Sequence, residues 1–231
     1  MNYDNLLFRC SSAGNLIAEK EVAGGLTETA IGLLEEKHIY SQYGIEKDIE
    51  SKYMTKGTQV EDDSITLLSR LDKIFYKKNT EIFSDEFIIG TPDIVTQDCI
   101  IDIKSNWDIF SFYKAKRAKK MNKMYYWQLM CYMHLTGLKS AKLVYCLVDT
   151  PEQFIEAEIK SLWYKLGKPD TDDKYFMQAS EDLRKKAIYS HIPIRERVSI
   201  STLEYDAKEM ERLQKTILIA RKYMNDNFLN D

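Results

Sequence analysis

The sequence predicts an α/β (α+β) fold, in which a central mixed β-sheet is flanked by helices and helical additions lie towards both ends. Two β-branched runs, 88–95 and 99–103, flank the polar residues Thr96, Gln97 and Asp98, a pattern typical of a hairpin. The apolar run 142–149 predicts a buried strand, and a helical pattern separates it from the hairpin. A strand, a helix and a further strand indicate a crossover that packs the helix on one sheet face.

Composition limits the class of protein. The chain has 231 residues, of which 44% are hydrophobic and 30% charged, which suits one globular domain with a sizeable core. We predict a single domain over 1–231, with its core at about 48–150 and helix and strand additions over 151–231. The net charge of −3 leaves only local basic patches for any nucleic-acid contact. Because no secretory signal or membrane-spanning run is evident, we expect a cytoplasmic protein without membrane contact.

The cysteines and histidines do not form a metal-binding motif. The 4 cysteines are scattered singly, at Cys10, Cys99, Cys131 and Cys146, and the 3 histidines are equally isolated. Without a C-x-x-C pair, neither zinc nor an iron–sulfur cluster is indicated, and we expect reduced thiols.

The N-terminal region predicts an irregular segment over 1–25, followed by a helix. Thr27 is a candidate N-cap, and Gly44 ends the helix after Tyr43.

The other elements are predicted from apolar spacing and from breaks in it. They are a helix over 48–71, strands over 73–78 and 80–83, a helix over 125–135, a helix from Pro151, a helix over 173–190, a strand over 192–200 and a long helix over 204–228. We expect the C-terminal elements to support the fold or an oligomer and not the chemistry.

The predicted hairpin brings charged side chains together. A turn centred after Gln97 places Asp93 opposite Asp102, with their Cβ atoms about 5 Å apart. Lys104 lies two residues beyond Asp102 and so points to the same face, while Ile101 and Ile103 point the other way, into a core. Like charges directly opposite destabilise a strand pair, and a divalent cation bound by both carboxylates reverses that penalty.

Pro92, Asp93, Asp102 and Lys104 resemble the core motif of the PD-(D/E)XK nuclease superfamily. Asp102 stands where glutamate is the commoner residue of that motif, a substitution that the family pattern allows. The alternative is an exposed hairpin whose charges are accidental.

Two flanking motifs extend the resemblance to the lambda exonuclease/YqaJ (RecB-like) group of phage-type exonucleases. Gly57 precedes Glu61 by four residues, so the two residues lie on the same face if one helix contains both. The alternative is that Glu61 belongs to a solvated acidic cluster. Gln128 and Tyr132, also four apart, resemble the helix motif that follows the D-x-K strand in that group, or else are ordinary polar positions on an amphipathic helix.

The resemblance implies a restriction-endonuclease-like core and a set of catalytic residues: Asp93, Asp102, Lys104, Glu61 and Gln128. Oxygen ligands favour Mg²⁺, with Mn²⁺ as a substitute, and one or two ions per site. Asp93, Asp102 and the backbone carbonyl of Ile103 would hold the principal ion, and Glu61 an outer or second-ion contact. Lys104 would position water, stabilise charge or, with a lowered pKa, act as base. Gln128 would orient the lysine or the water.

Basic residues and aromatic residues alternate after the hairpin. Six positive charges fall within ten residues, 114–123, and aromatic residues flank them. Basic side chains neutralise phosphate and aromatic rings stack on bases, although a lysine-rich surface is also common without nucleic acid. Arg9, Ser11 and Ser12 resemble the terminal 5′-phosphate anchor of the family group, or else form a simple loop or cap. The complete predicted DNA-binding set is Arg9, Ser11, Ser12, Tyr132, Lys114, Lys116, Arg117, Lys119 and Lys120.

These patterns favour a metal-dependent DNA exonuclease acting on double-stranded ends in phage-type recombination or replication. One alternative is a structure- or sequence-specific endonuclease of the same fold, and another is a non-catalytic DNA-binding or virion protein. Expected partners are DNA, a single-strand annealing protein and further copies of the chain.

Overall fold

The computed structural model describes residues 2–18, 24–47, 57–170 and 172–229. The strands are β1 (Phe8–Arg9), β2 (Phe83–Ser84), β3 (Ile88–Gly90), β4 (Ile94–Val95), β5 (Cys99–Ser105), β6 (Ser140–Cys146) and β7 (Val198–Glu204). The labelled α-helices are α1 (Glu28–Tyr43), α2 (Glu61–Asp72), α3 (Ile109–Lys116), α4 (Lys123–Thr136), α5 (Glu152–Lys165), α6 (Lys174–Ala187) and α7 (Ala207–Phe228). Short 3₁₀ helices span Cys10–Asn15 and Ile194–Glu196.

A mixed sheet lies at the centre of the fold, with the strand order β4-β5-β6-β7. β5 and β6 are parallel, and the outer pairs, β4 with β5 and β6 with β7, are antiparallel. Helix α4 connects the two parallel strands, as the crossover prediction required. A smaller sheet of order β1-β3-β2 carries the segment that leads into the hairpin. The predicted α/β (α+β) class, a mixed sheet flanked by helices, is confirmed.

Alternation along β5 divides its side chains between two cores. Ile100 belongs to the cluster that includes Leu129 of α4, whereas Ile101 and Ile103 belong to the cluster that includes Leu68 of α2. Each such side chain contributes about 1.5–3 kcal/mol when fully buried. Because successive side chains of a strand point to opposite faces, Asp102 is directed towards α4.

The predicted limits of the first helix are confirmed. The Thr27 side chain accepts a 3.1 Å hydrogen bond from the Ala30 N–H, which satisfies a free donor of the first turn. Gly44, at a φ of 67°, ends the helix in the left-handed conformation that suits glycine.

The predicted helix over 48–71 is corrected where the structure describes it. Residues 48–56 lie outside the described residues, 57–59 are helical, Val60 forms a turn and α2 begins at Glu61. Val60 is fully buried in the core on the α2 side of the sheet, and its carbonyl accepts a 2.9 Å hydrogen bond from the Ser64 N–H. Gly57 and Glu61 therefore do not share one continuous helix.

The predicted strands over 73–78 and 80–83 are wrong, except for the last residue of the second, which begins β2. Lys73, at a φ of 57°, ends α2, and the segment that follows has no strand before Phe83. Phe75 and Ile82 are 90% and 66% exposed, whereas Tyr76 packs into the core on the α2 side of the sheet, so the segment has no continuous buried strand face. The segment is instead held by hydrogen bonds from Asn79, described with the site.

Other predicted limits in the second half of the chain move by a few residues. The strand predicted over 142–149 is β6, and the helices predicted over 173–190 and 204–228 are α6 and α7. The strand predicted over 192–200 is corrected: Pro193, which cannot donate to a ladder, precedes a 3₁₀ helix, and β7 begins only at Val198. Within the described residues, no helix is long and apolar enough to cross a lipid bilayer.

Candidate active site

The β4–β5 hairpin has the predicted register. Ile94 pairs with Ile101 and Val95 with Ile100, so Asp93 and Asp102 are the next opposed positions. Asp93 is fixed on the hairpin because its Oδ2 accepts a 2.6 Å hydrogen bond from the Ile103 N–H. Local strand alternation is therefore sufficient to bring the two carboxylates together.

Asp102 and Lys104 form a buried ion pair on the face of β5 that is directed towards α4. Lys104 Nζ lies 2.8 Å from Asp102 Oδ2, and the Asp102 side chain is 0% exposed. In the described structure, neither oxygen of Asp102 receives a hydrogen bond of acceptable angle. A buried carboxylate with unused acceptor capacity is costly, and it is suited to bind a cation.

The two carboxylates hold their protons more tightly than free aspartates. Burial, and then the charge of Asp102, raise the pKa of Asp93 to about 7. Burial likewise raises the pKa of Asp102, against the opposing effect of Lys104. Both shifts disfavour the doubly ionised pair, and a divalent cation would stabilise it.

Lys104 is an ammonium in this arrangement. Burial lowers its pKa, but the charges of Asp102 and Asp93 outweigh burial, so the pKa lies above the usual value. The sequence-based option in which a lowered pKa makes Lys104 a base is not favoured here. The geometry instead suits a fixed positive charge.

Helix α4 supplies the side chains that orient Lys104. Lys104 Nζ donates to Gln128 Oε1 at 3.3 Å, and Gln128 Nε2 donates to the Tyr132 hydroxyl at 2.9 Å. The Tyr125 ring lies beneath the same ammonium, 4.9 Å from Nζ to the ring centroid. Gln128 thus contacts Lys104, the residue that it is predicted to orient.

Tyr132 occupies a different environment from the one predicted. It was expected to contact DNA, but it is only 4% exposed and lies in the core. Burial, and then the charge of Asp102, raise its pKa, so the hydroxyl keeps its proton. Tyr132 therefore supports Gln128 from behind and does not present a surface to a ligand.

Glu61 lies near the two aspartates at the start of α2. Its charge contributes to the raised pKa of Asp93 and of Asp102. Its carboxylate forms a 3.1 Å ion pair with Lys78, and its side chain is 22% exposed, whereas that of its neighbour Asp62 is 83% exposed. Glu61 is thus set apart from the solvated acidic cluster.

The carboxylates do not converge fully in this arrangement. Within the described ranges, no group of three or more His, Cys, Asp or Glu side chains is close enough to hold a metal ion. The site presents the Asp93–Asp102 pair, with Glu61 held back by Lys78.

Two supporting residues were missed by sequence reasoning. The Asn79 N–H donates to the Asp93 carbonyl at 2.7 Å, and Asn79 Nδ2 donates to the Pro92 carbonyl at 3.0 Å. The adjacent Lys78 forms a hydrogen bond with Glu61, and this bond is the main cause of the raised pKa of Lys78. The charge of Asp93 contributes to the same rise. No motif marks this segment, because its role depends on a long-range contact.

Arg9, Ser11 and Ser12 lie at the junction of β1 and the first 3₁₀ helix. Ser12 Oγ donates to the Arg9 carbonyl at 3.0 Å, and the exposed Arg9 guanidinium is 3.5 Å from Glu46. Lys37 of α1, which was not predicted, is near: burial, and then the charge of Arg9, lower its pKa. The charge of Glu46 offsets part of the repulsion between these two cations.

The predicted basic segment is on the surface. Asp108 and Ser111 form a reciprocal capping box that begins α3 immediately after the site strand. The exposed basic residues that follow on α3 and beyond it are Lys114, Lys116, Arg117, Lys119 and Lys120.

No protein-family model and no curated protein sequence matches the chain. Among solved structures, a phage-related exonuclease from Haemophilus somnus 129PT is similar over 96% of this chain and 95% of its own, with 27% identity and a TM-score of 0.73. The alkaline exonuclease LHK-Exo from Laribacter hongkongensis is similar over 96% of this chain and 90% of its own, with 10% identity and a TM-score of 0.65. Its complex with dAMP gives 11% identity and a TM-score of 0.63.

These similarities extend over nearly the whole length of each chain, so they concern the entire fold and not the hairpin alone. The fold, the register of the hairpin and the position of Gln128 agree with the motif order read from the sequence. The chain therefore has the fold of these phage-type exonucleases, which agrees with the resemblance to the PD-(D/E)XK group found in the sequence.

Proposed function

We propose that this protein is a metal-dependent nuclease that hydrolyses phosphodiester bonds of DNA, as an exonuclease acting on double-stranded ends. The observation that carries the proposal is the buried Asp93–Asp102–Lys104 cluster, in which both Asp102 oxygens lack a well-aligned hydrogen bond. The 27% identity to a phage-related exonuclease over nearly the full length of both chains supports it.

The residues present fit a hard divalent cation. Asp93, Asp102 and the Ile103 carbonyl offer only oxygen ligands, which favour Mg²⁺ or Mn²⁺ over softer metals. Glu61 would contact the same ion through water or hold a second one after release from Lys78. When bound, the ion polarises the scissile phosphate and lowers the pKa of an attacking water.

The protein side chains position the reacting groups. Lys104, held between Asp102 and Gln128, places a fixed positive charge where negative charge develops on the phosphoryl oxygens. Gln128 limits the movement of that ammonium, and Tyr132 limits the movement of Gln128. No covalent intermediate is needed, because water is the nucleophile.

Binding of a DNA end would use two further groups of residues. Arg9, Ser11 and Ser12, with Lys37 nearby, would hold a terminal 5′ phosphate. The basic residues on and after α3 would neutralise further phosphates of the DNA. We place the activity in phage-type recombination or replication, with a single-strand annealing protein and further copies of this chain as partners.

The proposal is tested by digestion of end-labelled linear duplex and of covalently closed circles, each with Mg²⁺ and with EDTA. We expect loss of linear DNA with Mg²⁺, survival of the circles and no reaction in EDTA. Cleavage of closed circles would contradict exonuclease action, and no cleavage of any DNA with Mg²⁺ or Mn²⁺ would contradict nuclease function.

Matched variants assign the chemistry to the cluster. Asp102→Ala and Lys104→Ala should abolish cleavage while circular dichroism shows an intact fold. Asp98→Ala, in the turn of the same hairpin, and Lys142→Ala, on the neighbouring strand β6, should remain active. Near wild-type cleavage by either of the first two variants would show that the site is assigned wrongly.

A further inference from the structure

Helix α3 carries an exposed row of aromatic and basic side chains. Phe110, Tyr113, Lys114 and Arg117 are spaced so that they share one helix face, and we name them the α3 stripe. Phe110 is 80% exposed and Tyr113 is 56% exposed. Both rings remain in water although their helix is firmly attached to the protein.

The buried side of the same helix shows that these rings are not part of a core. Phe112 is 3% exposed and packs with Leu147 and Tyr189. The capping box of Asp108 and Ser111 fixes the first turn. The helix is therefore attached through Phe112, and it does not need the exposed rings of Phe110 and Tyr113 for stability.

The α3 stripe lies near the candidate active site. Only a short connection separates α3 from β5, the strand that carries Lys104. Tyr145, which packs against the Phe112 cluster, is the ladder neighbour of Lys104 on β6. Helix α3 therefore packs against the strand pair that carries Lys104.

Charge identifies the kind of ligand. The Arg117 guanidinium lies 5.7 Å from the centroid of the Tyr113 ring, so cation and ring form one surface. Lys116, Lys119 and Lys120 surround it with further positive charge, in a chain whose net charge is −3. Rings next to cations complement bases next to phosphates, whereas an apolar protein partner would have to desolvate the cations.

We propose that the α3 stripe binds single-stranded DNA, with bases stacked on Phe110 and Tyr113 and phosphates held by Lys114 and Arg117. Stacking requires open base faces, so the strand at this surface is unpaired. The inference rests on the proposed function only in taking DNA as the ligand. Binding at the stripe uses neither Asp93 nor Asp102, so it does not require the metal ion.

The test measures binding in EDTA, where cleavage does not interfere. A labelled oligothymidylate and an abasic oligonucleotide of equal length are titrated by fluorescence anisotropy. We expect the oligothymidylate to bind more tightly to the wild type, and Phe110→Ala and Tyr113→Ala each to weaken it by about tenfold. Binding of the abasic strand should change little in either variant.

Tyr175→Ala is the matched control, because Tyr175 is 70% exposed and lies on α6, outside the basic segment 114–123. Its affinity for both oligonucleotides should equal that of the wild type. Equal wild-type affinity for the thymidine and abasic strands would overturn the proposal. Unchanged affinity of Phe110→Ala and Tyr113→Ala for the oligothymidylate would also overturn it. If analytical ultracentrifugation then showed that these variants had lost an oligomer that the wild type forms, the rings would be assigned to contacts between copies of the chain.

The two proposals fail in different measurements. If the wild type cleaved no DNA in any assay but still bound oligothymidylate more tightly than the abasic strand, the proposed nuclease function would be contradicted. The proposal for the α3 stripe would still be supported. If the wild type cleaved DNA but bound the oligothymidylate and the abasic strand with equal affinity, only the proposal for the α3 stripe would be contradicted.

Discussion

At the scale of single residues, Asp102 is the side chain with the least satisfied environment in the site. It is fully buried, and Lys104 is its ion-pair partner, but that ammonium also donates to Gln128. Asp93 adds a second carboxylate, so when ionised the three groups together carry one negative charge. Because burying uncompensated charge costs several kcal/mol, we expect the cluster to gain stability from a cation.

A first prediction concerns stabilisation by Mg²⁺. Ligand that binds only the folded state stabilises it by about 1.4 kcal/mol at ten times Kd. We expect the Tm of the wild type to rise with Mg²⁺ concentration, and the Tm of Asp102→Asn to stay constant, in differential scanning calorimetry. Asp98→Asn, a change of the same kind in the hairpin turn, should behave as the wild type does. A Tm of Asp102→Asn that rises in parallel with the wild type would exclude Asp102 as a ligand.

A second prediction concerns pH and Asp93. The pKa of Asp93 in the folded protein is about 7, against an ordinary value of 3.8. The folded state therefore binds this proton more tightly, so the free energy of unfolding falls as pH rises from 3.8 to about 7. A difference of one between the folded and unfolded pKa values corresponds to about 1.4 kcal/mol. Asp93→Asn should reduce this decline in urea unfolding with EDTA and leave the part that comes from the raised pKa of Asp102, and equal declines in both proteins would contradict it.

Sequence alone was enough to find the central residues of the site, but not their supports. Asp93 and Asp102 are opposed because of strand alternation and turn length, both of which are local. Asn79 and Lys78 are brought to the site by contacts that span many residues, and they carry no motif. Tyr132 was predicted to contact DNA, but its burial depends on the packing of neighbouring elements, which the spacing alone does not reveal.

At the scale of elements, β3 and α4 are in close contact through Gly90. A Cβ at Gly90 would lie 2.7 Å from the Cys10 Sγ and 2.7 Å from the Tyr132 Cε1. Real Cβ atoms do not approach so closely, so glycine is required by space and not by backbone conformation. This contact connects the strand before the motif to the side chain that supports Gln128.

A third prediction follows from that close approach. Gly90→Ala should displace Tyr132, destabilise the protein by about 1–3 kcal/mol and reduce cleavage measured well below Tm. Gly32→Ala on α1 is the matched control, because no atom lies within 4 Å of its added Cβ. It should raise the free energy of unfolding by about 0.5–1 kcal/mol and leave cleavage unchanged. Equal stability and activity in the two variants would show that Gly90 is not crowded.

Elements with clear local sequence signals were predicted well, and elements whose limits depend on tertiary packing were not. Helix α1 has a capping threonine and a terminal glycine, so its limits could be assigned. The segment over 73–83 has apolar residues in a strand-like order, but Phe75 and Ile82 are exposed while Tyr76 is buried, so the order does not mark a strand. The break at Val60 also depends on tertiary burial, which a helical pattern over 48–71 does not reveal.

At the scale of the whole molecule, positive charge is unevenly distributed. The chain has a net charge of −3, yet six of its 33 basic residues fall within ten positions, 114–123. Phosphate contacts release condensed counterions from DNA, so the affinity of such a patch falls steeply as salt rises. The patch lies beside the candidate active site, and it should account for much of the salt dependence of DNA binding.

The last prediction tests that distribution. Reversing the charges of Lys116, Arg117 and Lys120 should weaken duplex binding in EDTA and reduce the slope of log K against log salt by about 0.9 for each DNA phosphate that the variant no longer neutralises. The control reverses Lys165, Lys186 and Lys215, which are exposed on α5, α6 and α7 and give the same change in net charge. Because the control alters total charge equally, a reduced slope in the first variant alone would assign the effect to position. Equal slopes in both variants would mean that net charge, and not this patch, governs binding to DNA.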